Sequence, residues 1–251
     1  MNIKKGIPIV ILILSAAVFL LLTAASSPYR ELRPYRFFGR TGPEKIGLNT
    51  MMVNGRLAVM ISGTEDTEPF YIDQIPVTVG AYKKCTALGS CQTQHYRNYY
   101  AQFYAGNIFN SFPMTFVTFN EARTYCMAYG GDLPTESQWL AANGSGDYAW
   151  GDQDPTLSRA NLDGFYQWQT PAGWLPKGAG PYGILDMNGN VREWILDENP
   201  VNRSEKGLKG GGFQDDFGAC ENDYTFYHEP TSSGFNRGFR CVYPARQYET
   251  P

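Results

Sequence analysis

Between Met51 and Ser62 the chain reads MMVNGRLAVMIS, two apolar runs on either side of Asn54-Gly55. Asn-Gly accepts the left-handed backbone of a two-residue turn, so the pattern predicts a β-hairpin. Phe70 to Val77 predicts a further strand. Thr78 then supplies an N-cap, Val79, Tyr82 and Cys85 fall on one helical face, and Gly89 ends that helix. Thr118 and Glu121 form a capping box ahead of a face made by Ala122, Tyr125, Cys126 and Tyr129, which Gly130-Gly131 stops. Thr135 and Gln138 form a second capping box before Trp139 and Ala142, closed by Gly144. Residues 92–112 are polar and aromatic without a period and predict a loop or insertion. After Gly144 periodicity almost vanishes. Such a stretch, about 100 residues long, needs crosslinks, metal ions or a specialised fold to hold it.

The N-terminus carries Lys4 and Lys5 before an uncharged run from Gly6 to about Ser27. Roughly 20 apolar residues span a bilayer, so the length suits a retained anchor. Thr23, Ala24, Ala25 and Ser26 also suit cleavage of a signal peptide. The chain divides into an anchor or signal segment at 1–27, a linker at 28–50 and a folded domain at 51–251. Pro28, Pro34, Gly39, Gly42 and Pro43 make the linker non-helical. Arg30, Arg33, Arg36 and Arg40 follow the apolar run, and taken alone they would keep the domain in the cytoplasm.

Composition narrows the function classes. Of 251 residues, 43% are hydrophobic and 18% charged, which supports a folded core. The net charge of -3 provides no basic field, and no nucleic-acid partner is expected. Aromatic residues at 15%, with 27 glycines and 16 prolines, suit a loop-rich domain whose aromatics anchor irregular backbone. HExxH, GxSxG and phosphate-loop patterns do not occur. The adjacent carboxylates Asp197-Glu198 and Asp215-Asp216 are expected on solvated faces.

Six segments carry a specific order: FYIDQIPVTVGAY, PMTFVTFNEARTYCMAYGGDLPTESQW, YAWGDQ, YGILDMNGNVREW, KGGGF and NRGFRC. In this order they resemble the formylglycine-generating enzyme family, the sulfatase-modifying factors, over residues 68–243. The resemblance implies a single α+β domain with the C-type-lectin-like fold, low in regular structure, here preceded by one N-terminal transmembrane helix. It also implies a calcium site in GILDMNGNVREW, with the Asp186 and Glu193 carboxylates and the Gly189 and Val191 carbonyls as ligands. That is a hard-cation donor set. A second family calcium site follows an Ala-Asn pair, here Ala160-Asn161, but the acidic loop after it is shortened. Arg192 stands where the family has tryptophan.

The five cysteines are Cys85, Cys91, Cys126, Cys220 and Cys241. Sequence alone does not fix their pairing. Cys85 and Cys91 flank a helix end and suit a local disulfide. The resemblance implies a Cys126–Cys241 disulfide between the central helix and the C-terminal strand. Two disulfides indicate an oxidising compartment, which outweighs the arginine signal. The family's enzymes oxidise a substrate cysteine with oxygen, using two cysteines five apart that bind copper(I). The second maps onto Cys220 and the first onto Asp215. A carboxylate is a poor ligand for this soft ion. The strand that follows, arginine-rich in the family, reads CENDYTFYHEP here. His95 and His228 are the only histidines and are expected to be ordinary side chains.

These readings predict a membrane-anchored, extracytoplasmic, non-catalytic module, with its domain in the periplasm or extracellular space, that binds or stabilises a membrane protein complex or periplasmic protein. Calcium is the expected ion and copper is not. The tyrosine-rich insertion, with Tyr96, Tyr99, Tyr100, Phe103 and Tyr104, is the candidate contact surface. The alternative is a copper-dependent oxidase or maturation factor acting on a periplasmic client, with Cys220 as its candidate catalytic residue.

Overall fold

The computed structural model describes residues 44–47, 49–92 and 106–247. The N-terminal segment, the start of the linker and Tyr96, Tyr99, Tyr100, Phe103 and Tyr104 lie outside the described residues. Among the described residues no helix is long and apolar enough to cross a membrane.

Asn54 and Gly55 lie at φ +48° and +76° and turn β2 (Thr50–Val53) into β3 (Arg56–Ile61), giving the hairpin that Asn-Gly predicts. With β1 (Glu44–Gly47), β4 (Phe70–Asp73) and β9 (Val242–Pro244) they form a five-stranded antiparallel sheet ordered β1-β2-β3-β4-β9. The predicted strand from Phe70 to Val77 stops at Asp73. Pro76 has no N–H to continue the ladder, and Val77 instead donates to the Phe239 carbonyl at 2.9 Å.

Among the described residues three helices follow, and all three N-termini are capped as the sequence predicts. In α1 (Val79–Ala87) the Thr78 hydroxyl accepts from the Ala81 N–H. In α2 (Phe119–Ala128) and α3 (Glu136–Asn143) both reciprocal capping boxes are present. Behind α2, Gly130 sits at φ +79° and Gly131 donates to the Cys126 carbonyl, which closes the helix.

Strands β2, β3, β4 and β9 of the first sheet pack on both faces. Met51, Val53, Ala58, Tyr71 and Tyr243 pack with Val79, Tyr82, Ala122 and Tyr125 of α1 and α2. The alternate residues Val59, Ile61, Phe70, Ile72 and Val242 pack with Trp139 and Ala142 of α3. The disulfide Cys126–Cys241 staples α2 to the segment entering β9, and Cys85–Cys91 closes the end of α1.

The region beyond Gly144 is not wholly irregular. β5 (Arg192–Glu198), β6 (Lys206–Lys209), β7 (Phe226–His228) and β8 (Arg237–Gly238) form a second sheet ordered β7-β6-β5-β8, with β5 and β8 parallel. Alternation fails in β5 because Glu193, Trp194 and Ile195 are all buried, so period 2 is lost in its sequence.

Candidate functional site

The loop from Gly183 to Val191 is held by its short polar side chains, which bond to neighbouring segments. Asp186 and Asn190 occupy left-handed backbone at φ +55° and +64°. Gly189 lies at φ +90°, and a Cβ there would meet the Asn161 carbonyl oxygen at 2.5 Å, so only glycine fits. Asn188 receives the Ala149 N–H and donates to the Cys220 carbonyl at 2.7 Å and to Asn222 at 2.9 Å. Asn190 does the same work on the other side, pairing with both the N–H and the carbonyl of Thr170. These carboxamides replace the ladder that regular strands would supply.

The four residues of the expected calcium set have different surroundings. Asp186 is buried, one carboxylate oxygen accepts the Gly173 N–H at 2.6 Å, and burial pushes its pKa up to about 6. The Gly189 carbonyl accepts the Val191 N–H at 2.8 Å. Glu193 is fully buried and is gripped by Arg240, with Nε to Oε2 at 2.6 Å and Nη2 to Oε1 at 2.7 Å. Trp139 Nε1 adds a third hydrogen bond at 3.1 Å. Arg240 completes its valence on the carbonyls of Asp73 and Leu185, so the pair ties β4, the loop and β5 together. Sequence reasoning placed Arg240 in a family segment without giving it a role. Arg240 already neutralises the Glu193 carboxylate. A carboxylate offers about four lone-pair sites and a carbonyl two, and the bonds above leave capacity at each. Among the described residues no three histidine, cysteine, aspartate or glutamate side chains cluster as metal ligands. A calcium ion here would therefore rely on backbone carbonyls.

The copper position is filled differently. Arg192 and Asp215 form a two-point ion pair, Nε to Oδ2 at 2.7 Å and Nη2 to Oδ1 at 2.5 Å. Asp215 also accepts the Gly212 N–H at 2.7 Å. Asp215 is therefore not on a solvated face. Asp197, too, is engaged: it accepts the Glu136 N–H at the start of α3. The Arg192 guanidinium lies 3.6 Å from the centroid of Phe226. Cys220 is the one free thiol of the five cysteines and is fully buried beside Tyr148, Ala160 and Leu162. Gly211 closes over it: a Cβ there would sit 2.3 Å from the sulfur. Burial, then the charges of Asp215 and Asp216, push the Cys220 pKa far above that of a free thiol. Copper(I) between two thiolates needs a second sulfur, and this position provides the Asp215 carboxylate in its place.

Residues 49–245 match the family described as the sulfatase-modifying factor enzyme 1-like domain. The chain belongs to that family. An inactive Cα-formylglycine-generating enzyme 2 of Bos taurus is 32% identical over 157 residues, covering 52% of this chain and 50% of the relative. A formylglycine-generating enzyme of Mycobacterium tuberculosis is 37% identical over 102 residues, covering 34% of this chain and 33% of that protein. A hercynine oxygenase of Mycolicibacterium smegmatis is 37% identical over 89 residues, covering 33% of this chain and 21% of that protein. The matches thus span half or less of the length of these relatives. Among solved structures, CarF superposes with a TM-score of 0.57 at 22% identity, covering 81% of this chain and 95% of that one. PvdO from Pseudomonas aeruginosa gives 0.56 at 17% identity, covering 74% and 90%. The mixed sheets and sparse helices seen here are that shared fold.

Proposed function

We propose that this chain is a non-catalytic family member. Anchored in a membrane by residues 1–27, with its domain in the periplasm or extracellular space, it binds or stabilises a membrane protein complex. The observation that carries the non-catalytic reading is the Arg192–Asp215 pair, which occupies the position of the first copper-binding cysteine while Cys220 is sealed in the core. Likeness to a relative described as inactive supports it. The two disulfides support an oxidising compartment. The tyrosine-rich insertion at Tyr96–Tyr104 is the proposed contact surface.

Calcium at Asp186, Gly189, Val191 and Glu193 is part of the proposal. Bound there, the ion would neutralise a buried carboxylate and brace the Asp186 turn against β5. Its role is structural, and no chemical step passes through it.

The test is purification from native membranes in mild detergent, followed by mass spectrometry of the intact chain and its companions. An uncleaved chain with a stoichiometric integral-membrane partner is expected. A cleaved, solitary chain carrying copper would overturn the reading.

A further inference from the structure

The face that carries Arg192 holds a second arginine that has no counter-ion among the described residues. Arg237 of β8 is the register partner of Arg192 of β5. Arg192 is neutralised by Asp215, whereas none of the ion pairs among the described residues includes Arg237. The Arg237 guanidinium is half-buried. Its Nη1 donates to Ser232 Oγ at 3.0 Å, and its Nη2 lies 3.3 Å and 3.5 Å from the two ring nitrogens of His228. Its Nε has no hydrogen-bond partner among the described residues.

The neighbouring carboxylates are spent elsewhere. Asp215 is held by Arg192, Glu205 accepts from Asn199, and Glu229 accepts from Ser204. Glu205 is the one acidic group that favours the charged form of His228; burial, Arg237 and Arg192 all oppose it. A cation of this kind, part-desolvated and beside a second cation, is costly unless something outside the chain offsets it.

We propose that Arg237, Ser232 and His228 form a binding site for an oxyanion, a carboxylate or phosphate group presented from outside the chain. The guanidinium supplies the planar donor fork that suits either group. The Ser232 hydroxyl and an imidazole N–H of His228 add neutral donors from two other segments, so the site reads shape as well as charge. The site stands on this geometry alone and does not depend on whether the chain is catalytic.

The chain has only two histidines, His95 and His228, so imidazole NMR reports on the site directly. The full chain, in mild detergent, is titrated with sodium phosphate and separately with sodium acetate at constant pH and ionic strength, using chloride as the balance. His95→Asn assigns the spectrum. The His228 resonances are expected to move saturably with phosphate or acetate, and the ion that saturates first identifies the ligand class. Arg237→Gln should abolish the movement, and Ser232→Ala should weaken binding several-fold while leaving the rest of the spectrum in place. Failure of both anions to shift His228 beyond chloride, or equal shifts in the wild type and in both variants, would overturn the assignment.

Discussion

Arg192 and Asp215 are paired through two hydrogen bonds, at two positions where the family resemblance implies other residues. Two departures from one family pattern have met in one interaction. The resemblance to the family implies a tryptophan at position 192 and a cysteine at position 215; here a cation and an anion stand there and satisfy each other. Asp215→Ala leaves the guanidinium part-buried without its partner and should cost about 3 kcal/mol. A double-mutant cycle with Arg192→Met, read by chemical denaturation, should return a coupling of about 1–3 kcal/mol. Additive effects would show that the pair does not hold the site.

Burial raises the Asp186 pKa to about 6, above its unfolded value near 4. The folded state therefore binds this proton more tightly than the unfolded state does. Asp186 contributes its full share of stability below about pH 4, and that share falls as pH rises through 6, by roughly 3 kcal/mol in all. Asp186→Asn should flatten this part of a urea-denaturation pH profile recorded without calcium. An unchanged slope in the variant would place the titration elsewhere.

In the proposed site, calcium competes with that proton. Added calcium should raise Tm by several degrees at pH 7, by much less at pH 5, and not at all in Asp186→Asn. Differential scanning calorimetry with calcium and with EDTA decides it. A calcium response that survives Asp186→Asn would remove Asp186 from the ligand set.

The Cys126–Cys241 disulfide spans 115 residues of sequence. Closing a loop of that length stabilises by about 5 kcal/mol in a chain-entropy model. Cys126→Ala with Cys241→Ala should lose that much in a denaturant titration. Cys85→Ala with Cys91→Ala, which opens a six-residue separation, should lose less.

How much of this was legible in the sequence follows from range. Thr78, Thr118 and Thr135 cap their helices through partners three residues away, and Asn54-Gly55 turns a hairpin by itself, so local chemistry suffices. Glu193 finds Arg240 47 residues later, and Asn188 bonds to residues 149, 220 and 222. No spacing rule reaches across such separations. The family resemblance marked Glu193, Asn188, Arg240 and Ala149 as parts of family segments but not which of them meet. β5 is not legible in the sequence because burying the Glu193–Arg240 pair beside Trp194 and Ile195 erases the alternation that identifies a strand. Asp215 was expected on a solvated face because adjacent acidic residues usually are, and only the fold brings Arg192 to it. Arg237 carried no signal, since an arginine without a counter-ion looks like any other in sequence.

The central claim is that the family's copper position is closed in this protein. With both disulfides formed, Cys220 is the single free thiol, so the rate of its alkylation in the native chain, followed by intact mass with iodoacetamide, reads the position directly. The account predicts no modification under native conditions and one adduct per chain after unfolding in denaturant. Rapid native labelling that copper(I) suppresses would mean an open, ionised thiol and would contradict the account.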